Sequence, residues 1–124
     1  MSWVGTWKNQ YGSTLEITSD ADGRISGEFR TALEDSGFYG QAVAVVGVHQ
    51  GNCISFGSAG TSPTGDRVVS YAGLLRNGKM ETVWFVVADM ALGAPREGEP
   101  AKLKRLNWWR SVTTNVDTFE RVSS

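Results

Sequence analysis

The chain has 124 residues, 40% of them hydrophobic and 20% charged, which suits one packed domain and argues against disorder. A net charge of -1 argues against nucleic acid or an anionic membrane as the main partner, because both reward a positive excess. No apolar run approaches the roughly 20 residues that cross a bilayer, and the start MSWVGTW lacks the basic-then-apolar order of a signal peptide, so none is expected in this chain. Cys53 is the only cysteine, so no intrachain disulfide forms and the compartment stays open.

The predicted elements are strands throughout. The first is expected at 4–9 and the second at 13–19. DADG turns the chain into a third at 24–31, and EDSG into a fourth at 39–48. HQGN precedes a fifth at 53–60, and SPTGD a sixth at 67–75. RNGK joins the sixth to a seventh at 80–88, and Asn-Gly between apolar runs is the strongest short hairpin signal. An eighth strand is expected at 111–122. No amphipathic helix is evident, and 15 Gly with 3 Pro suit tight turns. The predicted fold is therefore all-β: an eight-stranded antiparallel up-and-down β-barrel, one domain over 1–124, closed so that no edge is exposed and one small ligand fits inside.

One connection is long. FVVADMALGAPREGEPAKLKRLNW runs from Phe85 to Trp108, with Gly, Pro and charge in its middle. Two readings stand side by side: a binding-site lid, or a plain surface insertion.

Period two assigns the inward face. In GTWKNQYGSTLEIT it places Trp7, Asn9, Tyr11 and Ser13 together. Further along it aligns Ile25, Gly27, Phe29 and Thr31, then Val69, Tyr71 and Gly73. The last two strands add Thr82, Trp84 and Val86, then Thr113, Asn115, Asp117 and Phe119. A core would be filled with aliphatic side chains, whereas this face mixes aromatics with an amide, hydroxyls and a carboxylate. Buried polar groups need partners, since an unmet one costs about 1–3 kcal/mol. Aromatic walls with a few convergent polar groups describe a small-molecule pocket, and the alternative is a polar cluster that satisfies itself.

GTWKNQYGSTLEI, GRISGEF, GVHQGNCISF, YAGLLRNGKMETVWFV and WWRSVTTNVDTFERV, in this order over nearly the whole chain, resemble the avidin–streptavidin family. The resemblance implies a dimeric or tetrameric eight-stranded barrel that binds biotin without catalysis or cofactor, and a secreted protein whose signal has been removed. It implies that Asn9 and Ser13 donate to the ureido oxygen, while the third donor position falls on Phe29, which has no hydroxyl. Asp117 and Thr31 match the acceptors of the ureido N–H groups. Of four wall tryptophans, Trp84 and Trp109 match two, Trp109 being the one lent to a neighbouring subunit; the others fall on Tyr71 and near Gly60. The position facing the biotin sulfur falls on Val69, and the one near the ligand carboxylate falls near Arg67, which is placed to pair with it. Tyr11 and Asp35 complete the candidate set. Four of five ureido contacts are thus kept, with one hydroxyl and one wall missing, which implies weaker binding than in the best-known family members or a retuned ligand.

Other residues read more plainly. His49 is expected in a solvated turn, without metal-ligand neighbours. Cys53 is expected to be a small half-buried residue without a base beside it. KLKR reads as a solvated face, Ser70 in GDRVVSYAG lacks a nucleophile elbow, and Trp3 is either a staple at the barrel end or exposed. The functional expectation, by resemblance, is a non-enzymatic biotin binder that forms a homotetramer or homodimer, with no metal. The alternatives are an avidin-fold binder of another ligand, a loop-based inhibitor or interaction module, and a lipocalin-like carrier.

Overall fold

The computed structural model describes residues 2–32, 41–62, 65–92, 103–105 and 112–123. Its strands are β1 (Gly5–Asn9), β2 (Thr14–Ser19), β3 (Arg24–Arg30), β4 (Val43–Gln50), β5 (Cys53–Ser62), β6 (Gly65–Arg76), β7 (Lys79–Ala88), β8 (Met90–Leu92), β9 (Leu103–Arg105) and β10 (Val112–Ser123). Eight of them close into an antiparallel barrel in the order β1-β10-β7-β6-β5-β4-β3-β2. Each strand pairs with its sequence neighbour among the eight, and the first and last strands meet to shut the cylinder. This is the predicted up-and-down barrel.

Local chemistry explains the joints. At the β6–β7 turn both Asn77 (φ 54) and Gly78 (φ 77) are left-handed, the type I′ geometry whose twist matches the flanking strands. Alternation then does the sorting: β7 reads buried at Met80 and Thr82 and exposed at Glu81 and Val83. Gly27 lies on the inward face, where an added Cβ would come within 2.0 Å of the Glu16 carbonyl oxygen, so no larger residue fits that crossing.

The strand boundaries moved in places. The fourth strand, expected from 39, begins at Val43 among the described residues. The long connection is not wholly irregular: Met90–Leu92 pairs antiparallel with Leu103–Arg105, so the KLKR stretch, expected as a solvated face, contributes a short strand. Inward-parity signals were too short there to reveal a three-residue ribbon.

One end of the barrel is plugged. Trp3, Trp7, Leu15, Ile17, Ile25 and Phe119 are buried there or along the axis. The Trp7 indole N–H donates to the Trp3 carbonyl at 3.0 Å, and the Arg121 guanidinium lies 4.6 Å from the Trp7 ring centroid. Trp3 is thus the staple of the two readings open for it. Its own N–H donates to the Asp20 carboxylate at 2.7 Å, joined by the Ser2 hydroxyl at 3.1 Å. These donors, the Trp3 N–H foremost, hold the Asp20 carboxyl below its ordinary value. His49 was expected in a solvated turn; it lies instead near the end of β4, half-buried, its ring 6.2 Å from Trp3 and Nε2 2.8 Å from the Asp20 carbonyl oxygen. Cys53, expected half-buried, is exposed, because it opens β5 on the outward parity.

Candidate ligand pocket

The opposite end is open. There the inward residues of the strands line a cavity of about 160 Å³. Its wall includes Asn9, Tyr11, Ser13, Phe29, Thr31, Arg67, Val69, Tyr71, Trp84 and Asp117, so ten of the twelve predicted site residues converge on one space. Asp35 and Trp109 lie outside the described residues.

The polar pole of the cavity is built from β1, the turn after it, and β10. β1 ends at Asn9, and the turn Gln10–Gly12 closes through the Gly12 N–H to Asn9 carbonyl bond at 3.1 Å, with Gly12 at φ 86. The Asn9 side-chain oxygen accepts from the Tyr11 N–H at 3.0 Å and the Ser13 N–H at 2.9 Å. Two backbone donors fix that atom as the oxygen, so the Asn9 nitrogen faces the Asp117 carboxylate, to which it donates at 3.1 Å. One amide proton of Asn9 remains for a ligand. The Ser13 oxygen accepts from the Ala32 N–H at 2.8 Å, which leaves the hydroxyl proton to be aimed elsewhere. Asn9, Ser13 and Asp117 are all buried. A pair of donors therefore stands beside a carboxylate acceptor.

Asp117 is further tied down. The Thr82 hydroxyl donates to its backbone carbonyl at 2.8 Å. Gln10 grips the same strand, its amide accepting from the Thr118 N–H at 3.0 Å and donating to the Val116 carbonyl at 3.3 Å. In effect one side chain extends the β1 ladder by a residue. Tyr71 lies on the facing wall, and its phenol is held protonated well above the usual tyrosine value, first by burial, then by the charge of Asp117 and a hydrogen bond to it.

The rest of the wall is aromatic and aliphatic. Tyr71 stacks on Phe56 at 4.8 Å between centroids and meets Phe29 at 6.1 Å. The Trp84 indole N–H is buried and has no acceptor among the described residues. Phe56, which forms the far side of Tyr71, was absent from the candidate set; the alternation Ile54, Phe56 in β5 is the signal that would have found it. Gln10 was missed because its parity points outward. Tyr11 departs from expectation in one respect: the period-two reading put it on a strand face, whereas it lies in the turn and is 53% exposed, so it rims the mouth. Thr113 and Asn115 share the inward parity of Asp117 and are exposed, because β10 runs on past the end of β1.

A small closed barrel with an apolar cavity and a donor–acceptor pole has the form of a small-molecule binder. The model of the Avidin family matches residues 1–93, and the chain belongs to that family. Among solved structures it is similar to the bradavidin2–biotin complex, with 22% identity, a TM-score of 0.71, and coverage of 98% of this chain and 99% of that one. The rhizavidin–biotin complex gives 22% identity and a TM-score of 0.71 over 100% of this chain and 98% of that one. Core-bradavidin gives 27% identity and a TM-score of 0.68, covering 93% and 96%.

Proposed function

We propose that this protein binds biotin, or a small molecule with the same cyclic urea head, in the open end of the barrel and without catalysis. The observation that carries the reading is the forced orientation of the Asn9 amide. It sets a donor, seconded by the Ser13 hydroxyl, next to the Asp117 carboxylate. A urea has the complementary order, an acceptor oxygen flanked by N–H donors, and a bond from an N–H to a carboxylate is about twice as strong as a neutral one. Family membership and the biotin held by two solved relatives support the same ligand. Phe29 supplies no third donor, and the wall at Gly60 is absent, so the affinity falls several tenfold steps below that of a fully equipped site. The same absences favour, as a second reading, a related ligand whose carbonyl needs two donors rather than three.

Calorimetric titration with biotin, with a thermal melt beside it, tests the reading. A ligand that binds only the folded protein raises its melting temperature by mass action. An unchanged melting temperature at millimolar biotin overturns it.

The protein works as a homo-oligomer. On the outside of β6, β7 and β10, register sets Val68, Val87 and Val112 in one row and Val83 beside Val116 in another, with Phe85 between them. All six are exposed, Val116 at 63%. Ser70 and Thr114 flank Phe85 on this largely apolar face, which marks an interface, and a second copy of the same face is its simplest complement.

A further inference from the structure

We propose that Ser58 is a further polar contact of this pocket, a lone hydroxyl on the β5 wall that favours a cyclic-urea ligand with an oxygen acceptor on its second ring. The inference rests on the biotin reading, and the ligand class it adds is the ring sulfoxide, taken in preference to the thioether.

Ile54, Phe56 and Ser58 share the inward parity of β5. Ile54 and Phe56 are buried, and Ser58 is half-buried and lines the cavity. Cross-strand register fixes its height. Phe56 pairs with Tyr71 and Tyr71 with Trp84, which makes one aromatic level. Ser58 pairs with Val69 and Val69 with Val86, which makes the next. The Tyr71 phenol bonds to Asp117, so the aromatic level adjoins the polar pole. In the other direction along β6 from Tyr71, Leu75 is buried in the core. The Ser58 level is therefore the one nearer the mouth, two residues or about 7 Å along the strand. A urea held at Asn9, Ser13 and Asp117 lays its fused second ring against this level.

The wall around Ser58 is aliphatic: Val45, Val69 and Val86 line the cavity beside it. Two other hydroxyls of β5 are spent on the chain itself. Ser55 donates to the Tyr71 carbonyl at 3.0 Å, and Thr61 to the Asp66 carboxylate at 2.7 Å. The Ser58 hydroxyl makes no such bond among the described residues. When a ligand seals it among these valines, its acceptor has to come from the ligand, because a buried donor left unmet is penalised. Size agrees with chemistry. Serine is smaller than the valines around it, and the next inward position of β5 is Gly60, so room and a donor coincide on this one strand. A thioether sulfur is a weak acceptor, whereas a sulfoxide oxygen is polar and projects from the ring. The two sulfoxide epimers point that oxygen to opposite faces of the ring, so a donor on a single strand reaches one of them.

Calorimetric titration of biotin and of each epimer of biotin sulfoxide into the wild type, Ser58→Ala and Ser58→Val tests this. The wild type is expected to bind one epimer about fivefold more tightly than biotin, which is what one neutral hydrogen bond supplies. Ser58→Ala is expected to bring that ratio to one or below, chiefly by weakening the sulfoxide. Ser58→Val also fills the space and is expected to reverse the preference. Ligand-free melts of the variants establish that they are folded. If biotin binds the wild type and neither epimer binds more tightly, the role of Ser58 is overturned and the biotin reading stands. An equal gain for both epimers, or a preference that survives in Ser58→Ala, overturns it as well. Failure of all three ligands to bind the wild type overturns the biotin reading and this inference together.

Discussion

Replacing Asp117 with Asn keeps the shape of the side chain and removes its charge and one acceptor. Three groups of the chain now point at this carboxylate: the Asn9 amide at 3.1 Å, the Gln10 amide at 3.5 Å, and the Tyr71 phenol. A carboxylate receives all of them and still has a lone pair for a ligand N–H. An amide has one oxygen, so whichever way it turns, its NH2 group confronts a donor. The ligand bond itself falls from the charged to the neutral class, a loss of about 1–2 kcal/mol, and the mispaired donor adds about 1–3 kcal/mol. The expected loss of biotin affinity is therefore about 2–5 kcal/mol, or roughly thirtyfold to four-thousandfold. Calorimetric titration of wild type and Asp117→Asn gives the ratio, and a melt without ligand shows whether the fold has survived. If the variant binds biotin within threefold of the wild type, Asp117 does not accept from the ligand and the donor–acceptor pole has been misassigned.

Phe29→Tyr adds a hydroxyl to a ring that already lines the cavity, and biotin binding is expected to tighten by about 1–2 kcal/mol; unchanged or weaker titration would show that the ring edge does not face the ureido oxygen. Asp20 has a lowered folded-state value, so its stabilising effect is present above the ordinary 3.8 and is lost as pH falls through the folded value. The gap in melting temperature between wild type and Asp20→Asn is expected to be open at neutral pH and to close in acid; a pH-independent gap would contradict the latch at Trp3. Phe85→Glu puts a charge in the middle of the apolar outer face, and light scattering is expected to show a smaller particle than the wild type; an unchanged mass would place the interface elsewhere.

Much of this architecture is legible because strand chemistry is periodic. Trp7, Asn9, Ser13, Tyr71, Trp84 and Asp117 share an inward parity that sequence alone displays, and Asn-Gly at 77–78 announces its own turn. What parity cannot show is depth along the barrel axis. Thr113 and Asn115 are inward by count and wet in fact, because they pass the end of the neighbouring strand. Nor does it show partners. The contact of Tyr71 with Asp117 joins residues from different strands, and His49 acquires its half-buried setting only when Trp3 folds over the barrel end. Cys53 lies one residue from the burial that was expected of it, a reminder that a single step along a strand reverses its face.

The Gln10 clamp also bears on time rather than affinity. The seam between β1 and β10 spans only residues 6–9 against 119–123, whereas β7 runs against β10 from Val112 to Glu120. Bringing the two ends of the chain together is the most entropically expensive closure in the barrel, and a short ladder is the first to fray. The Asn9–Asp117 bond and the Gln10 amide stitch this seam where the ligand head sits. A urea bound there would cross the join like a rivet, and its departure would be coupled to the breathing of the seam. Amide hydrogen exchange along β10 would then report residence time as directly as it reports stability.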